Sequence, residues 1–136
     1  CACTMNSILK QFIKHLTVEE NEVVLLDMEA GVEHFGRGVD NSVDLILMIV
    51  DPSFESLKLT KKIQQLGESI GKTVFFVLNK VNGQILPTML ESIDDQSKVL
   101  AVISEDTEIA RKGLLGNELM MEIPEIHTLA RKILKQ

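Results

Sequence analysis

Short apolar runs alternate along this chain with segments in which apolar residues recur every three or four positions. The apolar runs are Val23–Met28, Leu45–Val50, Thr73–Leu78 and Val99–Ile103. An unbroken apolar run of this length is typical of a strand that is buried on both faces. The pattern therefore predicts that these four runs are strands of a parallel sheet.

The segments between and around the runs predict amphipathic helices. Their expected positions are Ile8–Leu16, Ser53 to Gly71, Ile85–Ile93, Thr107–Lys112 and a last helix that begins near Pro124. Ser53 is a good N-cap, and Pro87 and Pro124 suit the first turn of a helix. Helices that alternate with buried strands cover both faces of a parallel sheet. The predicted fold class is α/β, with three layers and a mostly parallel sheet.

The composition fits a single domain over residues 1–136. Of the 136 residues, 45% are hydrophobic and 25% are charged, which is enough apolar material for a core. The net charge is −6 and the cations are not clustered, which argues against nucleic acid as the main partner. No apolar stretch has the length of a membrane span and no signal peptide is visible, so no membrane partner is expected. The two cysteines, which cannot easily pair with each other, favour a reduced, cytoplasmic setting.

Ligands of open parallel sheets bind beyond the carboxyl ends of the strands, so polar residues there are candidates for chemistry. Asp27 lies at the end of the first run, where a carboxylate either holds a nucleotide-bound Mg²⁺ through water or caps a turn. Asn79 and Lys80 follow the third run. The Asn amide offers a donor and an acceptor that match a purine edge, although both residues are also common in turns.

The loop after the first run is rich in charge and glycine. Its charged residues are Glu29, Glu33, His34 and Arg37. Such residues suit a nucleotide-responsive switch, and they equally suit a plain solvated loop.

A phosphate-binding loop is not found in the sequence. The triplet Gly71-Lys72-Thr73 resembles the end of one, but Gly67 lies one residue too close for the G-x-x-x-x-G-K-[ST] spacing. The triplet also follows a predicted helix and precedes a predicted strand, whereas a phosphate loop must leave a strand and open a helix. The sequence offers no other candidate for such a loop.

The chain begins with Cys1-Ala2-Cys3, which contains its only two cysteines. A disulfide between them would close a ring too small for relaxed geometry. Two thiolates are half of a tetrahedral Zn²⁺ site, and two chains that meet face to face would complete it. The alternative is a pair of free thiols at a frayed end.

Together these motifs resemble the carbon monoxide dehydrogenase maturation factors. These are P-loop ATPases of the deviant Walker A group, related to the septum-site-determining and nitrogenase iron-protein-like ATPases. The most specific part is DMEAGVEHFGRGVDNSVD at Asp27–Asp44. The remaining motifs follow in the family's order: Cys1-Ala2-Cys3, Val50–Ser53, Asn79–Val81 and Ile103–Asp106. The resemblance covers essentially the whole chain, as the C-terminal part of such an ATPase.

The resemblance implies a nucleotide site that binds ATP and Mg²⁺. Asp27 matches the Walker B aspartate near the Mg²⁺, and Glu29 stands beside it as a second catalytic candidate. Nucleotide contacts are implied at Asn79, Lys80, Ser104 and Glu105, with Asn79 reading the adenine.

The resemblance also implies a metal, a partner and a client. Cys1 and Cys3 match the pair that binds Ni²⁺ or Zn²⁺ between the two subunits of a homodimer. The loop with Glu33, His34 and Arg37 would couple the nucleotide state to dimerisation. The family uses ATP to drive nickel insertion into the active-site cluster of carbon monoxide dehydrogenase.

The sequence departs from the family in two places. The phosphate loop is missing, so this chain is predicted to be inactive as an ATPase on its own. Ser104 stands where the family tends to carry a proline, which puts the detail of the adenine pocket in question. Two other functions stay open: a non-hydrolysing metal-binding or interaction module on the same scaffold, and a positioning ATPase of the septum-site or partition type.

Overall fold

The computed structural model describes residues 11–13, 15–20, 22–28 and 43–135. The elements are β1 (Ile46–Val50), α1 (Phe54–Ser69), β2 (Val74–Val81), α2 (Leu86–Glu91), β3 (Val99–Ser104), α3 (Thr107–Leu115) and α4 (Pro124–Ile133). A 3₁₀ turn, Gln96–Lys98, leads into β3. Residues 11–13 and 15 are helical and fall within the first predicted helix. No helix in the described ranges is long and apolar enough to cross a membrane.

The three strands form one parallel sheet in the order β1-β2-β3. β1 pairs with β2 in regular register from Ile46 opposite Val74 to Val50 opposite Leu78. Helices cover both faces of this sheet, so the predicted α/β class with a parallel sheet and three layers is confirmed. The chain between two parallel strands must cross back over the sheet, and the amphipathic segments do this as helices.

Side chains of β2 alternate between two cores, one on each face of the sheet. Phe76 and Leu78, both 0% exposed, pack with residues of α1 and α2 such as Ile63 and Met89. On the other face Val77 packs with Leu129 of α4. This explains why β2 is apolar without interruption from Val74 to Leu78, because a central strand has no face toward solvent.

Local signals fix the helix ends, at Ser53 and Gly71 as the sequence predicted and at Asp106, which was not predicted as a cap. The Ser53 hydroxyl accepts a hydrogen bond from the Ser56 N–H at the start of α1. Asp106 does the same for α3, since its carboxylate accepts from the N–H groups of Glu108 and Ile109. Gly71 lies just beyond α1 with φ of 69°, a left-handed conformation that favours glycine.

The predicted strand at Val23–Met28 is wrong for this structure. Residues 22–28 have no regular secondary structure. Val23 is 56% exposed and Leu25 is 84% exposed, although both are strongly apolar. An apolar run becomes a strand only if another strand accepts its hydrogen bonds and other elements cover its faces. The three-stranded sheet gives β1 one partner, β2, and the run does not join it.

Gly67 lets α1 approach the first residues of β2 closely. A Cβ atom at this position would lie 2.4 Å from Val74 Cγ2 and 3.0 Å from the Lys72 carbonyl oxygen. Gly67→Ala should therefore lower the free energy of unfolding by about 1–3 kcal/mol, as overpacking does in other cores. Urea denaturation measures the change.

Gly113→Ala is the matched control for that substitution. Gly113 also lies in a helix, α3, but no heavy atom lies within 4 Å of its added Cβ. Alanine should raise stability there by about 0.5–1 kcal/mol through helix propensity. If both variants shift the denaturation midpoint in the same direction, close packing at Gly67 is not the cause.

Candidate functional site

The carboxyl ends of the three strands meet along one edge of the sheet. Asp51 directly follows β1, Asn79 lies near the end of β2, and Ser104 ends β3. Val50 is opposite Leu78 in the register, so Asp51 and Asn79 come next on neighbouring strands. This is the edge at which open parallel sheets bind their ligands.

β2 changes its backbone path at Asn79 and Lys80. The strand continues to Val81 instead of ending at Leu78 as predicted, and its pairing with β3 shifts register between Leu78 and Val81. Within this irregularity Lys80 has φ of 55°, a left-handed conformation that is uncommon for a residue with a Cβ. Irregularities of this kind turn side chains out of the regular alternation, often beside binding sites.

The side chains of Asn79 and Lys80 both converge on the carboxylate of Asp51. Asn79 Nδ2 donates to Asp51 Oδ1 at 2.9 Å, and Lys80 Nζ donates to Asp51 Oδ2 at 2.6 Å. Partial burial raises the pKa of the Asp51 carboxyl, but the bonds from Lys80 and Asn79 outweigh burial and leave the pKa below its usual value. Asp51 is therefore ionised at neutral pH and accepts both bonds.

A second pair of side chains joins the loop after β2 to the loop after β3. Asn82 Nδ2 donates to Glu105 Oε2 at 3.3 Å. The amide oxygen of Asn82 accepts from the N–H groups of Gln84 and Ile85, just before α2 begins. The Glu105 N–H also donates to the Val81 carbonyl at 2.9 Å. These bonds hold Glu105 against the end of β2.

An open pocket of about 230 Å³ lies beyond the end of β3. Ser104 and Glu105 line it on one side, and the segment Met121–Glu125 lines it on the other. Its size is below the usual range for a whole small-molecule ligand. Its carboxylates, on Glu105, Asp106, Glu122 and Glu125, favour a ligand group that donates hydrogen bonds and disfavour a phosphate.

The predicted site residues fall into three groups in the structure. Asn79, Lys80, Ser104 and Glu105 all lie at the carboxyl edge of the sheet. Asp27 is exposed in the segment 22–28 and is not part of the sheet. The remaining predicted residues lie outside the described residues: Cys1, Cys3, Glu29, Glu33, His34 and Arg37. In the described part of the chain, no group of three or more His, Cys, Asp and Glu residues is placed to hold a metal ion.

Two residues at this edge were not among the predicted site residues. Asp51 follows a buried strand and satisfies the rule that selected Asp27 and Asn79, so its position after Leu45–Val50 was a usable signal. Asn82 stands before Gly83 in a dipeptide typical of turns, and the sequence gives no sign that its side chain reaches Glu105.

The parallel sheet, its two helical layers and the polar carboxyl edge define an α/β fold, and they are consistent with part of a P-loop nucleoside triphosphatase-like domain. The chain is 44% identical over 135 residues to an uncharacterized ATP-binding protein of Methanocaldococcus jannaschii, a match that covers 99% of the chain. It is 33% identical over 117 residues, or 85% of the chain, to the carbon monoxide dehydrogenase accessory protein CooC of Rhodospirillum rubrum. The resemblance found in the sequence is thus confirmed, and the chain is homologous to these proteins.

The chain spans about half the length of the curated relatives it matches. The matches cover 54% of the M. jannaschii protein and 44% of CooC. A second uncharacterized ATP-binding protein of M. jannaschii is 32% identical over 125 residues, with 90% of the chain and 49% of that protein covered. No family model matches the chain.

Proposed function

We propose that this chain is the C-terminal part of a cytoplasmic, ATP-dependent accessory protein that inserts nickel into carbon monoxide dehydrogenase. The ATP-binding relatives and CooC support the proposal, since the similarity extends over most of the chain. The chain contributes the base-binding edge of the sheet, and the rest of a longer protein contributes the phosphate loop. The proposed activity therefore belongs to the longer protein and not to these 136 residues alone.

The observation that carries the ATP part of this proposal is the placement of Asn79. Its amide lies at the carboxyl edge of a parallel sheet, where such folds bind ligands, and an Asn amide complements the edge of adenine. The nearby pocket lined by Ser104 and Glu105 is acidic, which suits a base that donates N–H groups. The triphosphate needs cationic and N–H donors, which we assign to the missing phosphate loop.

We assign the Mg²⁺ chemistry to Asp27 and Glu29. A carboxylate at a strand tip binds a nucleotide-bound Mg²⁺ through water, and Mg²⁺ prefers such oxygen ligands. Segment 22–28 is apolar and exposed, so it has the composition of a strand that gains its partner in the longer protein. The switch residues Glu33, His34 and Arg37 would then follow this strand and respond to the nucleotide.

We assign the nickel cargo to Cys1 and Cys3. Thiolates are soft donors that suit Ni²⁺ and Zn²⁺, and two chains would supply the four ligands of one shared ion. A homodimer is therefore part of the proposal, with carbon monoxide dehydrogenase as its client. The name of the CooC relative supports the client.

The last helix argues against the alternative of a membrane-positioning ATPase. Leu129 of α4 is 7% exposed and packs against the sheet together with Ile133. Leu129 and Ile133 are thus used in the core, although Ile126 (43% exposed) and Leu134 (69% exposed) are not, so α4 has only a reduced apolar stripe for a lipid surface. The other alternative is a free-standing metal-binding or interaction module on the same scaffold, and it differs from our proposal in the absence of ATP hydrolysis.

The longest natural protein that contains this sequence should bind Mg·ATP, and Asn79→Ala should weaken that binding about tenfold. The substitution removes the hydrogen bonds to adenine, and a tenfold change corresponds to about 1.4 kcal/mol, the upper part of the range for one net hydrogen bond. Isothermal titration calorimetry measures both dissociation constants.

Gln65→Ala is the control for this experiment. Gln65 is an exposed amide in the second half of α1, toward the opposite end of the sheet, so its loss should leave ATP binding unchanged. The proposal fails if the parent protein does not bind Mg·ATP, or if Asn79→Ala binds it as tightly as the parent. Tight Mg·ATP binding by residues 1–136 alone would contradict the assignment of the phosphates to a missing loop.

A further inference from the structure

Backbone hydrogen bonds within its own loop hold Asp51 in place without a ligand. Its N–H donates to the Ser56 hydroxyl at 3.1 Å, and its carbonyl accepts from the Ser53 N–H at 2.8 Å. Ser53 in turn caps α1. The backbone of Asp51 is therefore tied to the first turn of α1, a helix that packs on the sheet. This holds the Asp51 carboxylate at the carboxyl edge as a rigid acceptor.

This acceptor determines which way the Asn79 amide points. A carboxylate can only accept hydrogen bonds, and the oxygen and nitrogen of an amide differ in that only the nitrogen donates. The bond of 2.9 Å from Asn79 to Asp51 Oδ1 therefore requires the nitrogen end to face Asp51. Asn79 keeps its Oδ1 and one N–H for a ligand, so it offers one acceptor and one donor.

Lys80 secures the same orientation from the other carboxylate oxygen. Its ammonium group donates to Asp51 Oδ2 at 2.6 Å, and the left-handed backbone of Lys80 belongs to the irregular end of β2 that also carries Asn79. A cation at this distance favours the ionised carboxylate. Protonation, which would allow Asp51 to donate and the amide to turn over, is therefore disfavoured at neutral pH.

We propose that Asp51 is a positioning residue that makes the site prefer adenine to guanine by fixing the orientation of the Asn79 amide. Adenine presents a donor, the 6-amino group, beside the acceptor N7, whereas guanine presents two acceptors, O6 and N7. One acceptor and one N–H on Asn79 match adenine, and the acceptor repels guanine O6. This inference rests on the proposed function, because it assumes that Asn79 contacts the base.

The test is the ratio of the dissociation constants for Mg·GTP and Mg·ATP in the longest natural protein that contains this sequence. Asp51→Asn keeps the size of the side chain but adds a donor, so the Asn79 amide can turn over and place an N–H group, instead of its oxygen, opposite guanine O6. We expect the ratio to fall by about tenfold or more, the discrimination of one good base contact. Asp51→Ala removes the acceptor altogether and should lower the ratio as well.

Asp94→Asn is the matched control. Asp94 is an exposed aspartate that also pairs with a lysine, Lys61, at 3.4 Å, but it lies before the amino end of β3. It should leave both dissociation constants unchanged. Thermal melting of each variant separates a loss of folding from a loss of selectivity, because a purely structural role would weaken both nucleotides equally.

The outcomes separate this inference from the function on which it rests. If the parent binds Mg·ATP with a preference over Mg·GTP and Asp51→Asn keeps the ratio, the inference is overturned and the ATP site stands. The inference is also overturned, and the ATP site still stands, if the parent binds both nucleotides equally well. If the parent binds neither nucleotide, the proposed function fails and the inference fails with it.

Discussion

Phe76→Ala should lower the free energy of unfolding by about 3–5 kcal/mol, the range for removing a buried aromatic side chain. Phe76 is 0% exposed at the centre of β2, where it packs in the core formed with α1 and α2. The loss includes the transfer free energy of the ring and the cavity left among its neighbours. It is a large share of the roughly 5–15 kcal/mol that stabilises a typical domain.

Urea denaturation followed by circular dichroism measures this change, with Phe54→Ala as the control. Phe54 is 75% exposed at the start of α1, and the Lys58 ammonium lies 5.9 Å from its ring centroid. Its loss should cost less than about 1 kcal/mol. If Phe76→Ala does not fold, Phe76→Leu keeps most of the volume and should cost roughly 1–2 kcal/mol. Equal effects at positions 76 and 54 would contradict the core described above.

Replacing Cys1 and Cys3 together by Ser should abolish the proposed metal-dependent dimerisation of the longest natural protein that contains this sequence. A shared tetrahedral ion needs four ligands, and the double substitution removes the two thiolates of each chain. The dimer dissociation constant in the presence of Ni²⁺ or Zn²⁺ should rise by about a hundredfold or more, since loss of even an outer partner of a metal site costs 10- to 100-fold.

Light scattering without nucleotide gives the mass of parent and variant with added NiCl₂ or ZnCl₂ and again with a chelator. His127→Gln is the control, because His127 is another possible metal ligand but is exposed and lies beside Glu122, in the C-terminal part of the chain. It should dimerise with metal as the parent does. Unchanged metal-dependent dimerisation of the Cys1→Ser/Cys3→Ser variant would rule out a bridging role for the thiolates.

Local sequence signals predicted most of the elements because they act over a few residues. The unbroken apolar runs at Thr73–Leu78 and Val99–Ile103 became β2 and β3, and Ser53 capped α1 as expected. The cap signal is local, because a hydroxyl reaches an N–H three residues away. The two apolar runs needed partner strands as well, and they pair with each other. The same information predicted the α/β class and a parallel sheet.

The apolar run at Val23–Met28 was predicted to be a strand and does not form one. Its composition matches that of β2, yet residues 22–28 form no strand and Leu25 is 84% exposed. An apolar pattern shows that a segment must be buried to be stable, but it does not show whether another segment of the chain is present to bury it. Strand formation depends on a partner strand, and that partner is distant in sequence.

The sequence by itself determined the alternation of buried strands and amphipathic helices, and it placed Asn79 near the end of a strand. Only the tertiary structure decided that Asp51, 28 residues away, would accept a hydrogen bond from that amide, and that Lys80 would bend out of regular strand geometry to reach the same carboxylate. The physical reason is the distance along the sequence over which each interaction acts. Helix caps and apolar periodicity act between near neighbours, whereas the orientation of an amide depends on whichever acceptor the packed sheet brings beside it.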